Sequence, residues 1–210
     1  MIRILIADDH AVVREGIKQI IMDCPDMVVG GEATNGHEVL DEISKNKYDV
    51  VVLDISMPGA SGLDILKQIH KDYANLPVLI FSMHPEEHYA IRALKAGASG
   101  YLSKERGPEE LITALQKIVK GGKYISSILA EKLADHVKSN GLIEPHETLS
   151  DREYQIMHLL ARGKRVKDIA KLLYLSPKTI STYRFRIFAK MDMNSNEELT
   201  RYMIDNDLFA

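Results

Sequence analysis

The chain has one cysteine and no tryptophan in 210 residues. Cys24 alone cannot close an intrachain disulfide, and it leaves no cysteine-based metal site. The eight histidines include no HExxH run, so a zinc site is not expected. No apolar run approaches the ~20 residues of a membrane span. The apolar part of the opening MIRILIADDH is too short for a signal peptide, and two acids end it. There is no internal repeat and no low-complexity tract. A composition of 45% hydrophobic and 27% charged residues suits an ordinary soluble protein, so the expectation is a cytoplasmic chain without membrane contact.

The length fits a medium domain plus a small one. The net charge of −3 hides an asymmetry. Residues 1–121 carry 13 Lys+Arg against 18 Asp+Glu, a net of −5, whereas residues 122–210 carry 14 against 12, a net of +2. Within the second part, Arg162 to Lys190 holds nine basic residues and one acid, Asp168. An acidic half and a concentrated basic stretch point to two different tasks.

Residues 1–121 alternate short apolar runs with helical patterns. Ile2–Ala7, Met27–Ala33, Val50–Leu53, Val78–Phe81 and Gly100–Leu102 read as strands, several of them apolar at nearly every position, as strands covered on both faces are. Between them lie helical stretches at about Ala11–Met22, Gly36–Lys45, Ser61–Asp72, Glu86–Ala96 and Pro108–Lys120. In the first, Val13, Ile17, Ile20 and Ile21 share a face. Strict βα alternation predicts an α/β, doubly wound, five-stranded parallel sheet of flavodoxin-like type with right-handed crossovers. Its functional site belongs at the carboxyl ends of the strands. Residues 122–147 read as a linker in which Ile125–Val137 could form a further helix before Ser139-Asn140-Gly141 breaks it.

From Thr148 the pattern is all helical. Ser150 and Glu153 form a capping box. A short helix over Val166–Leu173 follows Gly163. Ser176-Pro177 supplies an N-cap and a first-turn proline for a helix to about Met191, and Ser195–Ile204 forms the last. Helices joined by a tight turn at Tyr174–Leu175 make a helix-turn-helix in a small all-α domain over 148–210.

Chemistry gathers at the predicted strand ends. The first strand runs into Asp8 and Asp9 and the third ends at Asp54, so three carboxylates converge where a hard cation such as Mg²⁺ relieves their repulsion. Ser82 ends the fourth strand and Lys104 follows the fifth. Carboxylate, cation, hydroxyl and lysine together suit a phosphoryl group. Any one of these alone is ordinary: an acid pair caps helices, and a lysine is usually solvated. Their placement at four different strand ends favours a site.

In the basic stretch, Ile180, Ile187 and Met191 fall on one stripe of the long helix. The opposite face carries Lys178, Ser181, Thr182, Phe185 and Ala189, flanked by Thr179, Arg186 and Lys190. That face fits a major groove, with Ser181, Thr182 and Phe185 nearest the bases and Lys164, Lys167, Lys178, Thr179, Arg186 and Lys190 on phosphates. Tyr183 and Phe188 are expected to be half-buried packing residues, and His158 a helix-surface histidine.

Residues 1–121 resemble the receiver domains of two-component response regulators through Asp8-Asp9, Asp54-Ile55-Ser56-Met57-Pro58-Gly59, Gly62, Ser82, Ala96-Gly97-Ala98, Tyr101 and Lys104. The resemblance implies that Asp54 takes a phosphoryl group from a histidine kinase. It also implies that Asp8, Asp9, Asp54 and the Ser56 carbonyl hold Mg²⁺, that Ser82 and Tyr101 move as a switch, and that Lys104 pairs with the phosphoryl group. Glu105 stands where many receivers have proline. Residues 148–210 resemble the LuxR-type effector domains of the NarL/FixJ subfamily through Leu149-Ser150-Asp151-Arg152-Glu153, Gly163, Asp168-Ile169-Ala170, Leu175-Ser176-Pro177-Lys178-Thr179-Ile180 and Lys190-Met191. Ser181 and Tyr183 replace a common lysine and histidine. The run SPKTISTYRFRIFAKM is most similar to the GacA/UvrY branch. The implied function is phosphorylation-controlled, sequence-specific binding of double-stranded DNA, with homodimers favoured on phosphorylation, in a protein that is not an enzyme. The alternatives are an aspartyl-phosphate phosphatase, which would need a general acid where Ser56 stands, and a phospho-dependent module whose basic helix contacts protein or RNA.

Overall fold

A computed structural model describes residues 1–59, 61–126, 129–131 and 144–209. They form two compact units that divide between residues 136 and 137. In the first, strands β1 (Ile2–Ala7), β2 (Met27–Ala33), β3 (Val50–Leu53), β4 (Val78–Ser82) and β5 (Gly100–Ser103) alternate with helices α1 (Ala11–Met22), α2 (Gly36–Lys45), α3 (Gly62–Asp72), α4 (Glu86–Lys95) and α5 (Pro108–Val119). The sheet is parallel, in the order β2-β1-β3-β4-β5, as the alternation predicts. Boundaries move by a residue or so. Ser61 is the N-cap of α3, its hydroxyl accepting from the Leu63 amide, rather than its first residue.

Strand residues of alternating parity point to opposite faces, and both faces are covered. Ile4, Ile6, Val50 and Val52 pack with Ile17 and Ile21 of α1 and Leu111, Leu115 and Ile118 of α5. Their neighbours Leu5, Val51 and Leu53 are equally buried, which accounts for the unbroken apolar runs. Val13 and Ile20, on the expected face of α1, pack at the edge of the first cluster.

Register delivers the strand ends to one edge. Ile4 to Ala7 lie beside Val50 to Leu53, so Asp8 and Asp54 are the next residues of adjacent strands. The Asp54 amide donates to the Ala7 carbonyl at 2.9 Å. Ser82 pairs with Ser103, and the Lys104 amide donates to the Ser82 carbonyl at 2.9 Å. Gly62 lets α3 begin against the strand end. A Cβ there would stand 2.2 Å from the Asp54 carbonyl oxygen and 2.7 Å from the Ile55 Cα.

In the second unit a 3₁₀ turn (Pro145–Thr148) precedes α6 (Asp151–Ala161), α7 (Val166–Leu172), α8 (Pro177–Met191) and α9 (Asn196–Asp205). The Ser150–Glu153 capping box is present in both directions. Gly163, at φ +74°, ends α6 in a conformation that costs a side chain but not glycine. Tyr174, at φ +54°, makes the tight turn between α7 and α8. The Ser176 hydroxyl caps α8 by accepting from the Thr179 amide at 3.0 Å. Helix α8 packs on α6 and α7, and α9 on α6. The core contains Tyr154, Leu160, Ile169, Ile180, Ile187, Leu199 and Met203. His158 is a correction. It is 6% exposed, edge-on to Tyr154 with ring centroids 4.7 Å apart, and not on the surface. Of the expected linker helix over Ile125–Val137, residues 125–126 are not helical and residues 129–131 are; 127–128 and 132–137, with Ser139-Asn140-Gly141, lie outside the described residues.

Candidate functional site

Asp8 and Asp54 are each 2% exposed at the sheet edge. Lys104, whose side chain is 6% exposed, reaches both, with Nζ 2.5 Å from Asp8 Oδ2 and 3.1 Å from Asp54 Oδ2. The lysine is thus an internal counter-ion, not a solvated charge. Burial pushes the Asp54 carboxyl above its usual range. Lys104 pulls the other way, and the like charge of Asp8 adds to the rise.

Asp8, Asp9, His10 and Asp54 each offer a ligand atom within 4.8 Å of the others. Asp54 Oδ1 is buried without a hydrogen-bond partner. Asp9 Oδ1 lies 2.8 Å from His10 Nδ1, close enough for an ion pair with a protonated ring, but makes no hydrogen bond. A buried carboxylate oxygen aimed into a carboxylate cluster with nothing to accept from is expensive. A hard divalent cation with oxygen ligands would satisfy it. The residues present fit Mg²⁺ on that ground.

Ser82 is fully buried beside this cluster, its hydroxyl accepting from the His84 amide at 3.2 Å. Tyr101, also fully buried, donates its hydroxyl to the His84 carbonyl at 2.8 Å, and burial raises its phenol well above the ordinary value. The Ser56 side chain is bonded to His84 Nε2 at 2.8 Å. The peptide after Lys104 is trans, with Glu105 in the place where proline is common.

Three participants escaped sequence reasoning. His10 adjoins the acid pair, and its position was the only signal. Arg14 donates through Nη1 to the Asp8 carbonyl at 2.8 Å and through Nε to Glu32 at 2.9 Å, steadying the strand end. His84 is the third: the sequence spaces it four residues before His88, but it precedes α4 and stacks on Tyr89 with ring centroids 4.4 Å apart.

On α8, Ile180, Ile187 and Met191 are buried as the stripe predicts, and Tyr183 and Phe188 are half-buried. Lys178, Ser181, Thr182, Phe185, Arg186 and Ala189 are exposed, as are Lys164 and Lys167. A depression on this helix is lined by Lys178, Thr179, Thr182, Tyr183 and Arg186. Two groups expected to face phosphates also bond within the unit. Lys190 Nζ donates to Glu153 Oε2 at 2.6 Å, and the half-buried Thr179 bonds Ser176 through its hydroxyl at 2.7 Å. Arg184 reaches Asn196 and lies over the Phe188 ring.

The response regulator receiver domain family matches residues 4–116, and the luxR family of bacterial regulatory proteins matches 147–203. The chain belongs to the response regulators that join a receiver to a LuxR-type DNA-binding domain, a class of phosphorylation-dependent transcription regulators. It is 36% identical to the response regulator UvrY of Escherichia coli K12 over 99% of this chain and 96% of that one. It is 36% identical to GacA of Pseudomonas aeruginosa PAO1 over 95% and 94% of the two chains, which places it in the GacA/UvrY branch. Among solved structures, RcsB of Salmonella typhimurium superposes with a TM-score of 0.72 at 26% identity, covering 97% of each chain. RcsB bound to promoter rprA in the presence of the phosphomimetic BeF₃⁻ gives 0.66 at 27% identity, covering 97% and 98%.

Proposed function

We propose that Asp54 is the phosphoacceptor and that its phosphorylation by a histidine kinase controls binding of promoter DNA by α8. The observation that carries this reading is the unpartnered, buried Asp54 Oδ1 facing an acid cluster, with Lys104 bound to the other oxygen. One Asp54 oxygen attacks phosphorus, the bond to the donor imidazole breaks, and the leaving nitrogen takes a proton from solvent. Asp8, Asp9, Asp54 and the Ser56 carbonyl would hold Mg²⁺, which supplies positive charge against the phosphoryl oxygens. Lys104 leaves Asp8 to pair with the phosphoryl group. Ser82, at the end of β4, donates its hydroxyl to it, giving up the His84 amide. Tyr101, tied to the His84 carbonyl, links that movement to the segment before α4.

The domains are a receiver over 1–121, a linker over 122–147 and a DNA reader over 148–210. Lys178, Arg186, Lys164 and Lys167 contact phosphates, and Ser181, Thr182 and Phe185 face bases. Thr179 and Lys190 steady the reading helix, adding phosphate contacts only if their present bonds are exchanged. The protein works in the cytoplasm as a homodimer on paired half-sites, a reading supported by the RcsB structure described as two dimers bound to two parallel DNAs. It is a regulator and not an enzyme. Ser56, two residues after Asp54, has no acidic side chain to speed phosphoryl turnover. The test is an operator gel shift with Mg²⁺ and a small phosphodonor. Wild type gains affinity, and an Asp54→Ala protein that gained equally would refute the switch.

A further inference from the structure

Resting on the reading of α8 as the DNA-contacting helix, we infer that this face reads an A·T pair, with Phe185 packed on the thymine 5-methyl. Phe185 is 74% exposed, the one large apolar side chain of α8 that is so among the described residues. It adds nothing to the core, which Ile180, Ile187 and Met191 already fill from the other side. It follows Ser181 by four residues and Thr182 by three, so the three side chains are neighbours on the helix surface.

The hydroxyls narrow the choice. Ser181 donates to the Pro177 carbonyl and Thr182 to the Lys178 carbonyl, each at 3.0 Å. With those protons engaged, both oxygens present lone pairs outward. Lone pairs match the exocyclic amino groups of adenine or cytosine and not the O6 and N7 acceptors of guanine. An A·T pair alone offers an amino donor and a methyl group together in the major groove. No acidic residue lies within Pro177–Met191, and Lys178 and Arg186 are exposed cations of the same helix. Such a helix suits a polyanion, and it places the phenyl ring where base edges would meet it.

The experiment selects a preferred duplex from a random pool, using the full chain with Mg²⁺ and a small phosphodonor. Each thymine is then replaced in turn by deoxyuridine, which removes only the 5-methyl. One position per half-site is expected to lose roughly three- to five-fold in affinity, the worth of one buried carbon. Phe185→Ala binds more weakly and is indifferent to that replacement, whereas Phe185→Leu keeps part of the sensitivity. The exposed ring predicts unchanged melting for both variants. Wild type insensitive to every replacement, or Phe185→Ala as sensitive as wild type, overturns the inference and assigns the ring to another partner. Failure to bind any duplex overturns the DNA reading of α8 itself.

Discussion

Replacing Lys104 by methionine tests the electrostatics of the acid site most directly. The change keeps the aliphatic stem and removes an ammonium lying 2.5 Å from Asp8 and 3.1 Å from Asp54. Removing one partner of a buried ion pair costs about 3–5 kcal/mol. Asp9, 23% exposed at the mouth, admits water, so the lower end applies, about 3 kcal/mol. For a unit of this size that lowers Tm by roughly 9–15 °C. The measurement is thermal unfolding by circular dichroism in chelator. Adding Asp54→Asn to Lys104→Met removes one uncompensated charge and should recover at least half of the loss. Mg²⁺ at about 100 Kd should recover about 2.7 kcal/mol. Since burial raises the Asp54 carboxyl above 3.8, its ionised form opposes folding once pH exceeds the raised value. Asp54→Asn alone should therefore stabilise the metal-free protein at pH 7. A Lys104→Met protein that melts with wild type in chelator, or a double variant no more stable than the single, would refute this account.

Three further outcomes follow from the same geometry. Gly62→Ala forces a Cβ against the Asp54 carbonyl and should cost about 1–3 kcal/mol while reducing phosphoryl uptake from a small donor, measured on a phosphate-affinity gel. Burial alone would raise Glu153, but Lys190 and Ser150 outweigh it and hold the carboxyl below 4.5. That stabilisation is present above pH 4.5 and is lost as pH falls through the lowered value, so Glu153→Gln should flatten the acid limb of unfolding by about 1 kcal/mol. Lys178→Ala and Arg186→Ala should each reduce the slope of log affinity against log salt by about 0.9, measured by fluorescence anisotropy. Lys190→Ala should change that slope less, because its ammonium is held by Glu153.

The sequence by itself determined the order of strands and helices, the capping box at Ser150, the buried stripe of α8 and the arrival of Asp8, Asp54, Ser82 and Lys104 at one edge. These are legible because strand and helix periods are local, and because parallel winding brings successive strand ends to the same side. Tertiary structure alone decided which groups then touch. It turned Lys104 inward between two carboxylates, brought His84 to Ser56 and Arg14 to the Asp8 carbonyl, tied Lys190 to Glu153, and buried His158. Each depends on the direction of a side chain relative to an element elsewhere in the chain, and residue spacing does not encode that direction. The acid cluster and the lysine could be read from the strand ends that carry them, but that Lys104 binds Asp8 and Asp54 together was decided by tertiary structure.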